Sequence, residues 1–211
     1  MKLYGYYRSS AAYRVRIALN LKGIDYQHET IDLLTGQEQQ KEYSKLNPQK
    51  LVPVLEDNGL VLFQSMAILE YLEEAYPQVP ILPDNIIDCA WVRALSNIVA
   101  CDMHPLNNLR VLKYLVNDLN VAEVDKLNWY RHWVVESFRA FESHLQKTQS
   151  ELYCFGDQPG MADILLIPQV YNARRFEVDM QAFPRISQIE QHCLTIPAFE
   201  KAIPENQPDA R

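Results

Sequence analysis

Lys2-Leu3-Tyr4-Gly5-Tyr6-Tyr7-Arg8-Ser9-Ser10-Ala11-Ala12-Tyr13-Arg14-Val15-Arg16-Ile17-Ala18-Leu19-Asn20-Leu21-Lys22-Gly23 is the stretch whose reading decides the fold. Lys2–Tyr7 alternates apolar and polar residues as a short strand does. Tyr13, Ile17 and Leu21, with Val15 and Ala18, recur at helical spacing, and Gly23 can end the helix. Ser9 and Ser10 therefore fall between a strand end and a helix start. Backbone N–H groups are unpaired there and the helix dipole favours negative charge, so such a loop can hold a thiolate or a carboxylate. On the residues alone, either serine also serves as a plain N-cap.

Further along the chain, Leu51-Val52-Pro53-Val54-Leu55 leads through Asn58-Gly59 to Leu60-Val61-Leu62-Phe63, and Gln64-Ser65 opens a helical pattern over Ser65–Tyr76. The order is strand, Asn-Gly turn, strand, helix. Pro53 lies inside an apolar strand pattern, where it removes a ladder donor and marks a strand edge or a cis bond. A cis bond would turn the Val52 backbone outward, where it can pair with another backbone. With candidate strands at Lys2–Tyr7, Tyr26–Ile31, Val52–Leu55 and Leu60–Phe63, and helices at Ala12–Leu21, Gln39–Leu46 and Ser65–Tyr76, the first part reads as α/β. Pro77, Pro80 and Pro83 then punctuate the chain, and the boundary is drawn at Pro77–Asn85.

After Ile86 the strand signals fade. Trp91, Ala94, Leu95, Ile98 and Cys101 mark one long helix, and Trp129, Trp133, Phe138, Phe141 and Leu145 mark a second over Val124–Leu145. Met161–Tyr171 is nearly all apolar and should be a buried central helix. An α/β domain followed by an all-α domain is the fold class expected. Asp163 stands three residues after Gly160, as in a capping box whose first position has no side chain, and is read as structural.

The 211 residues carry 20 basic and 27 acidic side chains, a net charge of −7, which disfavours nucleic acid and anionic membrane as partners. Cys89, Cys101, Cys154 and Cys193 form no C-x-x-C pair, so a zinc site is not expected. The chain opens directly on a strand and no apolar run reaches transmembrane length, so a cytoplasmic protein with reduced thiols is expected. In this acidic background local basic clusters stand out. Arg14 and Arg16 are read as making surface ion pairs, with Arg16 also able to pack across a domain interface. Gln37, Gln39 and Gln40, interleaved with Glu38 and Lys41, read as a solvated helix face. His104 reads equally as a cap before Pro105 or as a functional residue.

The set Ser9-Ser10, Val52-Pro53 and Gln64-Ser65 resembles the thioredoxin-like domain of glutathione transferases. Arg8-Ser9-Ser10-Ala11-Ala12-Tyr13-Arg14-Val15-Arg16 resembles the signature of their zeta class. The resemblance runs over nearly the whole chain, through Gln64–Leu72, His104-Pro105-Leu106-Asn107-Asn108, Met161-Ala162-Asp163, Pro168-Gln169-Val170, Ala173–Phe176 and the tail Gln207-Pro208-Asp209. One departure is Ala11, where the signature commonly carries cysteine. It leaves the serine hydroxyls and the helix N-terminus to stabilise a thiolate.

The resemblance implies a thioredoxin-like domain with a four-stranded mixed sheet over residues 1–80, an all-helical domain over 86–211, and a homodimer. It implies glutathione as cofactor, held by Ser9, Gln49, Val52, Pro53, Gln64, Ser65, His104 and Asn108, and no metal. Ser9, Ser10 and Arg8 would be catalytic, with Ser9 or Ser10 donating to the sulfur. Arg8, Asn108, Arg110 and Arg175 would bind a second substrate, and three guanidinium groups suit a dicarboxylate. The implied reaction is cis–trans isomerisation of maleylacetoacetate to fumarylacetoacetate in tyrosine and phenylalanine catabolism, by reversible addition of the thiolate to the cis double bond. Isomerisation of maleylpyruvate in gentisate breakdown and general transferase chemistry are the alternatives.

Overall fold

The computed structural model of the protein describes residues 1–148 and 150–211. It divides into two compact units, Met1–Ile81 with Leu194–Arg211, and Leu82–Cys193.

The first unit is built on the strand β1 (Lys2–Gly5), the helix α1 (Ser10–Leu21), β2 (Gln27–Thr30), α2 (Lys41–Leu46), β3 (Val54–Asp57), β4 (Leu60–Phe63) and α3 (Ser65–Ala75). The sheet order is β2-β1-β3-β4. β1 runs parallel to β2 and antiparallel to β3, and β3 and β4 form the hairpin. This is the four-stranded mixed sheet of the thioredoxin-like arrangement. Asn58 and Gly59, at φ 48° and 84°, make the turn with both central residues left-handed, as Asn-Gly favours. Gly5 ends β1 under α1. A Cβ there would come 3.2 Å from that of Ala12, so the strand end and the helix start approach closely because both residues are small.

Several element boundaries differ from the sequence reading by one or two residues, and two of them bear on the site. β1 stops at Gly5 rather than Tyr7, and β3 starts at Val54 rather than Val52. Tyr6 and Tyr7 already belong to a turn closed by the Ser9 N–H donating to the Tyr6 carbonyl at 2.9 Å. Pro53 has no N–H for a ladder. The Val52–Pro53 bond is cis.

The second unit holds α4 (Ile86–Asn97), a π-helical turn (Ile98–Met103), α5 (His104–Leu106), α6 (Leu109–Asn117), α7 (Glu123–Leu145), α8 (Met161–Arg175) and α9 (Pro184–Cys193). α8 is the buried central helix: every residue from Met161 to Val170 is buried. Phe138 of α7 meets Phe183 edge-on at 5.5 Å. The α8 start follows from Asp163, whose carboxylate accepts from Gly160 N–H at 2.9 Å and Cys154 N–H at 2.8 Å. Asp163 is thus structural, as read, with Gly160 contributing only backbone. Burial pushes its pKa up to about 6 although both N–H groups pull it down.

The last helix, α10 (Pro197–Ala202), and the tail after it pack in the first unit, against α1. The sequence reading, with ranges 1–80 and 86–211, places these residues in the helical domain instead; the division seen in the structure differs. Their attachment is polar: Asn20 Nδ2 donates to the Ala198 carbonyl at 2.9 Å and Arg16 Nε to that of Ala202 at 3.1 Å.

Candidate active site

Ser9 is the N-cap of α1, its Oγ accepting from the Ala12 N–H at 3.2 Å. Capping does not exhaust it. A hydroxyl accepts twice and donates once, so the Ser9 O–H proton is left for another group. Ser9 is half-buried, while Ser10, the first helical residue, is 6 % exposed. Of the two serines, Ser9 presents the more accessible hydroxyl. Arg8 stands beside it with its guanidinium carbon 4.9 Å from the Tyr7 ring centre.

The second helix start is open in a different way. Gln64 precedes α3 at φ 72° and makes no side-chain cap to it. A non-glycine residue held left-handed is strained, and such strain concentrates at functional positions. The Gln64 side chain points instead to Gln49, Nε2 donating to Oε1 at 2.7 Å. The structure thus joins two residues that the sequence reading put in one site. Ser65 is buried at 6 % exposure, and its Oγ accepts from Arg14 Nη1 at 3.1 Å. A guanidinium therefore lies behind the α3 N-terminus and adds positive potential to that of the helix dipole. The residue before Val52 is fixed from beneath, because the Leu51 carbonyl accepts from Tyr43 Oη at 2.7 Å and from Asn47 Nδ2 at 2.8 Å.

Arg14 and Arg16 correct the sequence reading. They are not surface ion-pair residues: they are 2 % and 0 % exposed. Arg14 supports Ser65, and Arg16 donates to the carbonyls of Tyr7, at 2.9 Å, and Ala202. The signal was present in α1 itself. Tyr13, Val15, Ile17, Ala18 and Leu19 leave that helix without a polar face, so arginines within it have no solvent side. Gln39 and Gln40 are exposed as expected, whereas Gln37 Oε1 accepts from the Asp32 N–H at 2.8 Å.

In the second unit, His104 follows the π turn directly and is half-buried. A π turn adds a residue to the helical repeat and changes which face the following residues present. No sequence periodicity announced it. Asn108 caps α6, its Oδ1 accepting from the Arg110 N–H at 3.1 Å, which leaves its amide N–H groups to bind a ligand. Arg110 and Arg175 are exposed, Arg175 lying 5.3 Å from the Phe176 ring centre.

The use of the arginines is uneven. Arg131, Arg139, Arg174 and Arg211 pair with Glu177, Glu136, Glu190 and Asp32. Arg185 donates to the carbonyls of Glu151 and Ser150. Arg8, Arg110 and Arg175 stand in no ion pair among the described residues. A cavity of about 500 Å³ within the second unit, lined by Ile98, Cys101, Asp102, Trp133 and Glu136 among others, has the opposite character. Its two carboxylates would repel an anion. Among the described residues no group of three or more histidines, cysteines and carboxylates could hold a metal, and no helix is long and apolar enough to cross a membrane.

Residues 1–74 match the family model for the glutathione S-transferase N-terminal domain, and residues 134–188 that for its C-terminal domain. A probable maleylacetoacetate isomerase from Vibrio cholerae is 48% identical over 210 residues, 99% of this chain and 97% of its own. The solved structure of a maleylpyruvate isomerase, a bacterial zeta-class glutathione S-transferase, superposes with a TM-score of 0.98 at 42% identity, covering 100% of both chains. A maleylacetoacetate isomerase from Methylobacterium extorquens, solved with bound malonate and GSH, superposes at 0.96 and 38% identity over 100% of both chains.

Proposed function

Since the chain belongs to the zeta class of the glutathione transferase family, we propose that it is a glutathione-dependent isomerase converting maleylacetoacetate to fumarylacetoacetate, a step of tyrosine and phenylalanine catabolism. The observation that carries the substrate charge is the set of arginines without carboxylate partners, Arg8, Arg110 and Arg175. Arg131, Arg139, Arg174 and Arg211 find internal carboxylates, whereas these three stand in no ion pair among the described residues and are left for an external anion. The Methylobacterium extorquens relative was solved with malonate, a dicarboxylate, bound along with GSH in the same crystal structure.

The residues fit glutathione. The open start of α3, backed by Arg14, suits the γ-glutamyl carboxylate, with Gln64, Ser65 and Gln49 as its polar partners. Val52 and Pro53 would meet the peptide portion, and His104 and Asn108 would complete the site. When bound, glutathione supplies a soft thiolate that adds reversibly to the conjugated cis double bond and so lets that bond rotate. Ser9 donates its O–H proton toward the sulfur position, supported by the α1 dipole, and Ser10 backs the loop. Arg8, Arg110 and Arg175 hold the carboxylates and, with Asn108, the developing enolate oxygen. The fold needs no protein thiol for this, since Ala11 occupies the position of the signature cysteine.

Maleylpyruvate is the second reading, favoured by the full-length match to a maleylpyruvate isomerase. The reading carries with it a cytoplasmic homodimer, for which the exposed Phe63, Ile86 and Ile87 are suitable contact residues, and sedimentation tests it. The functional test is Arg110→Met and Arg175→Met assayed at fixed glutathione on maleylacetoacetate, maleylpyruvate and a neutral aryl halide. Loss of a charge-assisted pair should lower kcat/KM about ten- to a hundredfold on the dicarboxylates and leave the aryl halide nearly unchanged. Equal losses on all three would overturn the assignment, and the wild-type ratio of the two dicarboxylates decides between the readings.

A further inference from the structure

The turn that delivers Arg8 and Ser9 is gripped from two directions by buried ionisable side chains. Tyr6 to Ser9 form a turn, with Tyr7 as its first central residue. Such a residue ordinarily leaves its N–H and carbonyl to water. Here the Tyr7 N–H donates to Asp209 Oδ2 at 2.9 Å, and the Tyr7 carbonyl accepts from Arg16 Nη2 at 2.9 Å. The Tyr7 hydroxyl also donates to the Arg211 carbonyl at 3.1 Å, and Arg211 pairs with Asp32. The Asp209 side chain is 8 % exposed, its other oxygen 3.3 Å from His28 Nε2.

The tail that brings Asp209 to this point is itself anchored. Gln207 Nε2 donates to the carbonyls of both Lys201 and Ile203 at 2.9 Å, and the Ala210 N–H closes a turn on the Gln207 carbonyl at 3.0 Å. Burying a carboxylate and a guanidinium is expensive, and a well-packed apolar pair would serve stability as well or better. What the charged pair provides is one fixed orientation for the Tyr7 peptide. Arg8 and Ser9 follow that peptide immediately.

We propose that Asp209, acting with Arg16 through the Tyr7 backbone, is a positioning residue for the active-site loop, and that the chain's last turn thereby sets the placement of the Ser9 hydroxyl. The proposal rests on the reading of Ser9 as the group that faces the glutathione sulfur. Asp209 touches neither substrate nor sulfur. It holds the peptide from which the serine projects, and catalytic donors must be held within about half an ångström to be effective.

The sign of one measurement separates positioning from simple electrostatics. Removing the negative charge of Asp209 would, through space alone, make a nearby thiolate easier to form. Misplacing the serine donor makes it harder. The experiment uses the full-length chain with Asp209→Ala, Asp209→Ser and Asp209→Asn. Ultraviolet titration of bound glutathione reports the thiol pKa, calorimetry with S-methylglutathione reports peptide binding without an ionisable sulfur, and thermal melting reports stability.

Asp209→Ala and the shorter Asp209→Ser should raise the thiol pKa by about one unit and lower kcat about tenfold. The S-methylglutathione Kd should stay within about threefold of wild type. Asp209→Asn keeps an oxygen for the Tyr7 N–H and should restore both the titration and the rate. Glu73→Gln, which cuts the Lys22–Glu73 pair elsewhere in this unit, should lower the melting temperature without moving the titration. If Asp209→Ala does not fold, Asp209→Ser carries the same expectation. A pKa that falls or stays put, an Asn variant as impaired as Ala, or an equal shift in Glu73→Gln would each overturn the proposal. A wild-type protein that shows no bound thiolate would instead remove the serine-site reading beneath it.

Discussion

Replacing Ser9 separates two roles that one hydroxyl fills. Its Oγ caps α1 at a 3.2 Å contact with the Ala12 N–H, the long end of a normal hydrogen bond at a half-buried position. Ser9→Ala should therefore cost the lower part of the usual capping range, about 0.5–1 kcal/mol. For a chain of this size that is a fall in melting temperature of about 2–4 °C per kcal/mol. The hydroxyl proton is the second role. A hydrogen bond to an ionised group contributes about 1.5–3 kcal/mol, which is about one to two pKa units for the bound thiol. If the site lowers that thiol from ~8.5 to ~6.5, about three quarters is thiolate at pH 7, and the substitution leaves between about a quarter and a thirtieth. Ser9→Asp divides the effects. Aspartate caps as well as serine, so the melting temperature should hold, but it offers no proton and adds a like charge. The thiol pKa should then rise at least as far as in Ser9→Ala. Ser9→Thr should preserve both properties. The assay is the ultraviolet thiolate titration of the glutathione complex, run beside thermal melts of the same samples. If Ser9→Ala lowers the melting temperature and leaves the titration in place, the loop's backbone N–H groups hold the anion alone and the reasoning about Ser9 fails.

Arg14→Met should weaken glutathione binding about tenfold in calorimetry, because Ser65 loses the guanidinium that orients it behind the α3 N-terminus. Unchanged affinity would mean that Arg14 serves packing only. Asp163→Asn should change the pH dependence of stability. The folded carboxyl titrates at about 6, above its ordinary value near 3.8, so the folded state binds the proton more tightly than the unfolded chain does. Stability contributed by this group is therefore full below about pH 4, falls as the pH rises to about 6, and is flat beyond. The difference in unfolding free energy between wild type and Asp163→Asn should drift by about 3 kcal/mol across that window, measured by denaturant titration at several pH values. A constant difference would show that the burial of Asp163 is compensated by its two N–H donors.

Strand, turn and helix periodicities determined the α/β-then-helical architecture, and for local reasons. Asn58-Gly59 can make its left-handed turn without tertiary help, Gly5 and Ala12 are small wherever the chain goes, and Met161–Val170 is too apolar to lie anywhere but the interior. The site residues of the first unit were legible for the same reason. Ser9, Gln64 and Ser65 sit at helix starts, and a helix start advertises itself by its neighbours in sequence. What depended on distant residues was not legible. Arg14 and Arg16 are buried because α10 and α3 close over α1, and Asp209 meets Tyr7 across 202 positions of chain. The π turn before His104 is a register change with no compositional mark. Charge likewise counts only in place: eleven arginines look alike in the sequence, and only their partners in space distinguish Arg131, Arg139, Arg174 and Arg211, which pair with carboxylates, from Arg8, Arg110 and Arg175. Local spacing fixes where hydrogen-bond donors begin, whereas the burial of a charge and the identity of its partner are properties of the whole fold, because both depend on which segments exclude water from it.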